Sequence, residues 1–581
     1  MLAENNTVES WKLSRNCLLG LAFVVSIASV VFFKDLGAVP LFNPDEALYA
    51  EPAREMLVTG EYITTLLNYV VRFTKPPLCI WAMAGCFQIF GVNEFAARFF
   101  GAACGVILIA ATYFAIARYI SLRAALVGAL TLASAPLFVF TGREAITDMP
   151  LSLFGAGSQL AFFHAGQAQV RSRAALYLGY VLIGLAVMTK GPVGLVLPVA
   201  ILCAWHFLKG DLWTAFKNYR PLTGAAIVAA ISLPWFITEI VITHGAYFQE
   251  FIIRENFQRF TAVVDNHKQP VYYHLLAMAG GFFPWAVYLP QSLVAALAPY
   301  FSALKPVAGE SAAATSGSAL IAFLKGRMRQ SQLYLTAVND STALALYCII
   351  WATVTLVFYS ASVSKLLPYT LSAFPALAIV VAWELERCFV RQEHGFKRLA
   401  MPLIFVVLAY GAVSAVAPVV AQKVRDAPLN IAALITAYAA AQAALVLVSL
   451  IVMRTRRLFA GALVLAAGAA LLLIIHAGRV LPVLSAKLEG PLPKYAYFAG
   501  QSKDAILVFD MRKPGVPFYA LRQVENINGI DALNARLKQV PQAYILTKSS
   551  KLTALKDLPG MKVIASEGDY AMVRFGAGGT P

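Results

Sequence analysis

Thirteen long apolar stretches, separated by short polar turns, constrain this chain more than any other feature. They lie at 16–33, 96–118, 123–141, 149–166, 174–189, 192–208, 221–243, 271–297, 343–361, 366–386, 398–421, 429–453 and 459–481. A stretch of about 20 apolar residues is long enough to cross a bilayer as a helix. None shows the period-2 alternation of a transmembrane β-strand. Composition agrees: 59% of residues are apolar and 13% charged, against about a quarter charged in soluble proteins. The sequence therefore predicts an all-α polytopic membrane protein with about 13 spans.

The formal charge of +17 does not point to nucleic acid, because the basic residues gather in short loops between spans, where they set orientation. With 13 spans and a cytoplasmic N-terminus, the loops carrying Arg118 and Arg123, Arg171 and Arg173, Lys209 to Arg220, Lys305 to Arg329, Arg387 to Arg398, and Arg454 to Arg457 all face the cytoplasm. A further apolar stretch, 76–91, starts with Pro76-Pro77 and is short for a span. Counting it as one would reverse every later loop, so it reads as an interfacial or re-entrant helix. The first span has a signal-like apolar run without a small-residue cleavage site and reads as uncleaved. The seven cysteines sit in or beside apolar segments with no Cys-x-x-Cys pair, so neither a zinc site nor a disulfide framework is legible.

Beyond about residue 490 the apolar runs shorten to 505–509, 543–546, 561–564 and 570–575, with a polar helical stretch near 530–538. That pattern predicts strands. Two regions follow: a transmembrane domain, 1–489, and a small extracytoplasmic α/β domain, 490–581. The first carries an outer loop with interfacial helices at 34–95, an outer loop at 244–270 and a cytoplasmic loop at 298–342, Ala/Ser/Gly-rich in part and read as a mobile connection. No internal repeat is visible, which weighs against a transporter of inverted halves.

Carboxylates at a bilayer boundary are costly and usually do chemistry. Asp45 and Glu46 follow the first span and Asp148 precedes another; the parity of spans puts both on the outer face. Each also has a plain structural reading, since Asp45 or Asp148 could cap a helix. The first would run from Glu46 to Val58 and stop at Gly60, with Tyr49 on the Glu46 face. Lys75, stiffened by Pro76-Pro77, could meet a lipid phosphate or merely snorkel. Arg254 and Gln258, four apart, would share a helical face with Phe251 or belong to a solvated surface helix. Lys190 in Lys190-Gly191-Pro192, and Lys365 and Tyr369 in Ser364-Lys365-Leu366-Leu367-Pro368-Tyr369, complete the outer-face set. His244 and His267 match no metal-ligand spacing. Together, two acids and several cations on one face suit a phosphorylated lipid donor.

The segment Leu41 to Glu51, the Lys75-Pro76-Pro77 turn and Thr147-Asp148-Met149-Pro150-Leu151 resemble lipid-dependent glycosyltransferases of the GT-C class. The run Arg254 to Phe260, with His267, Gln269-Pro270, Phe283-Pro284-Trp285 and Ser364 to Tyr369, is similar to the aminoarabinose transferases that modify lipid A. The Thr-Asp-Met-Pro form is also similar to protein mannosyltransferases. Two positions depart from the aminoarabinose pattern: Leu48 stands where that family has arginine. Thr74 stands where it has the glutamate that is its candidate metal ligand.

The resemblance implies a GT-C fold in a bacterial inner membrane, with the active site facing the periplasm. It implies transfer of a sugar from a polyprenyl (undecaprenyl) phosphate to lipid A or another periplasmic acceptor, with membrane lipids as surroundings. Asp45 and Asp148 would be catalytic. Lys75, Glu46, Tyr49, Arg254, Gln258, Lys365, Tyr369 and Lys190 would bind the donor phosphate or substrate. No nucleotide is needed, and the chain has no Gly-rich phosphate loop. A divalent metal is the one cofactor left open, with His267 as a candidate ligand. A protein O-mannosyltransferase-like enzyme is the runner-up; a lipid transporter, which would bury charge at mid-span, and a scaffold are the non-enzymatic alternatives.

Overall fold

The computed structural model describes residues 14–576, except 74, 168–169, 171, 259–268, 304–325, 327–328, 336, 391, 424–428 and 557. Most of the connection 298–342, expected to be cytoplasmic, falls outside the described residues, and so does His267.

Every predicted span coincides with helix. The first eleven α-helices are α1 (Arg15–Phe33), α2 (Ala47–Thr59), α3 (Leu78–Phe90), α4 (Glu94–Tyr119), α5 (Leu122–Ala133), α6 (Pro136–Gly142), α7 (Asp148–Gly166), α8 (Arg173–Lys190), α9 (Val193–Lys209), α10 (Leu212–Tyr219) and α11 (Pro221–Ile242). Later helices are Tyr273–Gly281, Leu289–Ala303, Asp340–Ala361, Phe374–Val390, Gln392–Lys423, Leu429–Arg454 and Leu458–Leu488.

Among the described residues, eight helices are individually long and apolar enough to cross a membrane, and up to ten if each bent pair is one span. The bent pairs are α5 with α6, at 64°, and Tyr273–Gly281 with Trp285–Ser302, at 108°. Three expected spans fall outside that count. α9 and Phe374–Val390 have 17 residues each. α7 carries Asp148, Ser152, Ser158 and Gln159, all buried. A helix enclosed by others need not be apolar all round, because protein rather than lipid meets its polar groups. The stretch 76–91 forms α3, whose 13 residues are too few to span.

The core is one continuous apolar cluster through which α1, α4, α5, α7 and the helices Asp340–Ala361 and Phe374–Val390 interlock, with Trp285, Trp351, Tyr113 and Phe32 fully buried. Small residues let the backbones close up, as membrane helices require when solvent drives nothing together. A Cβ on Gly194 would lie 2.4 Å from the Ala186 backbone, and one on Gly128 would lie 2.6 Å from Ala382.

Between α2 and α3 lies a two-stranded hairpin, β1 (Leu66–Leu67) and β2 (Val70–Val71), which the sequence did not announce. The C-terminal sheet region begins with the helix Leu492–Gly500 and carries β3 (Ala505–Phe509), β4 (Glu525–Ile527), β5 (Gln542–Lys548), β6 (Met561–Glu567) and β7 (Tyr570–Gly576) in the order β4-β3-β5-β7-β6. β3 runs parallel to β4 and β5, whereas β5–β7 and β7–β6 are antiparallel. The polar stretch near 530–538 forms the helix Ile530–Leu537. The three-residue β4 is too short for a periodic signal and was missed.

Candidate active site

The chain leaves α1, turns through residues 34–46 and enters α2, while the loop 143–147 joins α6 to α7. Two arginines fix these turns. Arg143 donates to the carbonyls of Val31, Phe32 and Lys34 at 2.7, 3.0 and 2.8 Å. It thereby satisfies carbonyls at the end of α1, where a cation is also favoured by the helix dipole. Arg98 on α4 donates Nε and Nη2 to Glu46 Oε1 and Oε2, both at 2.7 Å. Its remaining donors reach the carbonyls of Leu36, Val39 and Pro40 at 2.9 to 3.0 Å. Glu46 also accepts the backbone N–H groups of Phe42 and Ala145, each at 2.8 Å.

Glu46 was expected to meet the donor or substrate. At 1% exposure, with its carboxylate filled by a guanidinium and two amides, it is instead the rivet joining the Asp45 turn to the Asp148 loop. That joint shows what spacing alone could not: the two acidic loops are adjacent. Asp45 itself does not cap α2. Glu46 occupies the N-cap without a side-chain cap bond, and the Asp45 carboxylate lies exposed beside the helix start. Gly60 does stop α2, in the left-handed region at φ 74°.

Asp148 opens α7 and pairs with Lys190 at 2.7 Å. Lys190 is the last residue of α8, where Gly191 at φ 80° takes a turn that a Cβ would strain. Its ammonium lies 4.9 Å from the centre of the Tyr369 ring, a cation–π distance. Tyr49 stands within electrostatic reach of Lys190, Asp148 and Arg72. Burial pushes its phenol above the ordinary range, while Arg72 and Lys190 oppose the shift. Asp148, Lys190, Tyr49 and Tyr369 therefore form one cluster, at the end of the bundle where Asp45 lies.

Lys75 pairs with Glu255 at 3.4 Å. Glu255 belongs to a π-helix, Phe248–Gln258, in the loop 244–270. Wider π turns change which residues share a face. Phe251 is buried at 1% in an aromatic nest with Tyr247, Trp235 and Phe236, while Arg254 and Gln258 are exposed and Arg254 pairs with Glu250 at 3.1 Å. The shared face expected for Phe251, Arg254 and Gln258 is not formed, and neither polar residue joins the cluster. Lys365 departs as well: it is buried, and its ammonium donates to the Ser362 carbonyl in its own turn. The carbonyls released where Asp340–Ala361 ends supply that acceptor, so Lys365 ties off the end of that helix.

Sequence reasoning missed several residues. Glu144, between the acids, lies close enough to Glu46, Asp148 and Asp45 for all three to act on it. Burial first, then those three carboxylates, push its carboxyl up to about 8, against the opposing effect of Arg98. Arg72 lies across the Tyr49 ring at 5.9 Å and donates to the Leu48 carbonyl. His274 is fully buried, stacks near Tyr369 and Tyr359 and bonds the Leu366 carbonyl at 3.2 Å. No period or motif marks these residues; a charged residue one position after a helix break, as Arg143-Glu144 is, was the only available signal. An apolar crevice runs between α7, α9 and Asp340–Ala361, lined by Leu151, Gly155, Leu197, Ile201, Trp351 and Tyr359. Tyr359 lies within electrostatic reach of both Lys190 and Asp148, so the crevice opens next to the charged cluster. Among the described residues, no three His, Cys, Asp or Glu side chains converge to hold a metal ion.

Comparison with known proteins follows these lines. A family profile described as dolichyl-phosphate-mannose-protein mannosyltransferase matches residues 16–244. Two proteins named undecaprenyl phosphate-alpha-4-amino-4-deoxy-L-arabinose arabinosyl transferase are similar. The one from Shewanella sediminis is 26% identical over 384 residues, 65% of this chain. The one from Edwardsiella ictaluri is 29% identical over 390 residues, 66% of this chain. In each case the match spans 62% of the relative's length. The crystal structure of ArnT from Cupriavidus metallidurans bound to undecaprenyl phosphate superposes with a TM-score of 0.75 at 23% identity, covering 95% of this chain and 97% of that one. The shared architecture fixes the fold as GT-C, and the sequence matches show that the chain is similar to arabinosyl transferases and protein mannosyltransferases.

Proposed function

We propose that the protein moves a sugar, aminoarabinose or a close analogue, from an undecaprenyl-phosphate carrier to lipid A or a related acceptor at the periplasmic face of the bacterial inner membrane. The observation that carries this reading is the Glu46 joint, which brings the Asp45 turn and the Asp148–Lys190 pair together at one end of an apolar bundle. The names of the similar arabinosyl transferases support the sugar and the carrier. The small apolar crevice beside Tyr359 adjoins the charged cluster, where headgroup and lipid chain would meet.

The reaction breaks an anomeric C–O bond through an oxocarbenium-like transition state, with a lipid phosphate leaving. Catalysis then asks for positive charge where phosphate charge develops, in a site poor in water. Lys190 and Lys75 supply it. Both carry carboxylate partners in this structure, Asp148 and Glu255, and a donor phosphate would share or take over those contacts. Asp148 then holds Lys190 in place and balances its charge. Asp45, exposed at the start of α2, orients the acceptor or takes its proton. Tyr369 and Tyr49 flank the sugar.

Purified protein in detergent, given polyprenyl-phosphate sugars and lipid A, tests the reading. Wild type should transfer sugar, and Asp45→Ala and Lys75→Ala should abolish transfer while remaining folded. Normal turnover by both variants rejects the site. The mannosyltransferase profile covers the segment holding both acids, which favours a protein acceptor as the second reading. Mass spectrometry of lipid A and of secreted proteins from a deletion strain separates the two.

A further inference from the structure

Asp45 is held from two directions. From within the membrane domain, Glu46 and Arg98 fix the start of α2. From the other side, the grip comes from the far end of the sequence. The backbone N–H of Asn43 donates to Glu489 Oε1 at 2.9 Å, and its side-chain Nδ2 donates to Glu489 Oε2 at 2.8 Å. Asn43 Oδ1 accepts the backbone N–H of Gly515 at 2.7 Å. The amide of Asn43 and both polar atoms of its side chain are thus taken by residues more than 440 positions away.

Glu489 is 2% exposed and sits at the end of the helix Leu458–Leu488. Lys513, from the sheet domain, balances its charge at 3.3 Å and lies over the Tyr570 ring at 5.4 Å. Gly515 is pressed onto Asn43 so closely that a Cβ would lie 2.8 Å from Nδ2. Two further contacts repeat the pattern. Tyr519 accepts the Leu41 N–H at 2.7 Å and donates to Glu94 at 3.0 Å. Asn68 exchanges two hydrogen bonds with Val524 at 2.7 and 2.9 Å.

We propose that the C-terminal sheet domain is a positioning device for Asp45, acting through a clasp in which Glu489 and Gly515 hold Asn43, two residues before the acid. The chemistry of the clasp is directional. Glu489 is acceptor to three N–H donors, two from Asn43 and one from Lys513. A neutral glutamine could offer only one oxygen and would point its own donors at donors. A buried carboxylate matched in this way holds a turn in one geometry, and misplacing a reacting group by about 1 Å costs on the order of 100-fold in rate. Glu489 is a positioning residue: it acts through Asn43 and touches neither donor nor acceptor. The inference rests on Asp45 being the acid of the transfer site.

The test uses the full chain in detergent with two variants, Glu489→Gln and Gly515→Ala, so that one remains if the other fails to fold. Arg536→Ala, which removes a surface pair with Glu525 and a hydrogen bond to Gln539 within the same domain, is the control. Two quantities are read: hydrogen–deuterium exchange of the peptide covering 41–49, and kcat and KM for a polyprenyl-phosphate sugar. The clasp predicts faster exchange over 41–49 in both variants. It also predicts a roughly 10- to 100-fold fall in kcat with KM for the lipid donor nearly unchanged, and neither change in Arg536→Ala. Unchanged exchange over 41–49 overturns the clasp. Faster exchange with an unchanged kcat overturns the positioning role. If wild type transfers no sugar, the proposed function fails, while the exchange result still decides the clasp.

Discussion

The Glu46–Arg98 joint makes a prediction whose size follows from its geometry. Both side chains are nearly buried, at 1% and 2% exposure, and the pair is bidentate at 2.7 Å. An exposed ion pair contributes about 0–1 kcal/mol. Removing one partner of a buried pair costs about 3–5 kcal/mol, because the other charge is left uncompensated. Arg98→Met leaves Glu46 with only the Phe42 and Ala145 amides and also strips hydrogen bonds from three carbonyls in the 36–40 turn. Glu46→Gln leaves the guanidinium half matched. The double variant carries no orphaned carboxylate, so the two single losses should not add. A double-mutant cycle measured by denaturation in mixed micelles should give a coupling of about 2–4 kcal/mol, with both single variants also losing sugar transfer because Asp45 and Ala145 lose their common anchor. A coupling below about 0.5 kcal/mol, or an Arg98→Met protein with full activity, would refute the claim that this pair joins the two acidic loops.

The carboxyl of Glu144, pushed up to about 8 by burial and by Glu46, Asp148 and Asp45, should make the protein weaker in alkali. A raised carboxyl favours the folded state while it keeps its proton, and that contribution is lost as pH rises from the ordinary carboxylate range through about 8. Glu144→Gln should therefore lose less unfolding free energy than wild type between pH 6 and pH 9, by about 1–2 kcal/mol once solvent screening is allowed for; parallel curves would reject it. Lys190→Met should leave Asp148 unpaired at the start of α7 and lower kcat/KM by about 100-fold or more, read with purified enzyme and lipid-linked sugar. Gly194→Ala should drive α9 from α8, since its Cβ would lie 2.4 Å from the Ala186 backbone, and cost about 1–3 kcal/mol of stability in a detergent melt.

How much could be read beforehand depended on the range of the physics involved. Hydropathy is local, so all 13 helical segments were visible, as were α3 and the strands β3, β5, β6 and β7. What makes a helix inside a bundle acceptable is not local: α7 is tolerated because neighbours cover its polar residues, and only the fold shows which neighbours. The candidate site divides along the same line. Asp45, Asp148, Lys190 and Tyr49 could be proposed from the sequence because each sits at or beside a helix end, where a charge or phenol is conspicuous, and Lys75 and Tyr369 because each sits in a proline-bearing turn. Arg254 and Gln258 were assigned by assuming four-residue spacing, and the π-helix Phe248–Gln258 removes that assumption. Lys365 was assigned by side alone, and side does not determine whether an ammonium turns outward or onto the nearest carbonyl.

Glu46 shows why the remainder could not be read. Its tetrapeptide, Asn43-Pro44-Asp45-Glu46, holds two adjacent acids that hydropathy cannot tell apart. Which one is occupied by the protein itself is decided by a partner 52 positions on, Arg98, and by an amide 99 positions on, Ala145. Once Arg98 has all its donors occupied by Glu46 and the 36–40 carbonyls, Glu46 has nothing left to offer a substrate and Asp45 is the acid left at the surface. The assignment of roles within the motif is thus a property of α4 and of the α6–α7 loop. If the C-terminal clasp acts as inferred, the same holds for the far end of the chain. An acid that must be placed to within an ångström is placed by contacts of long sequence separation, so a motif can mark where chemistry occurs while the rest of the fold determines which of its residues performs it.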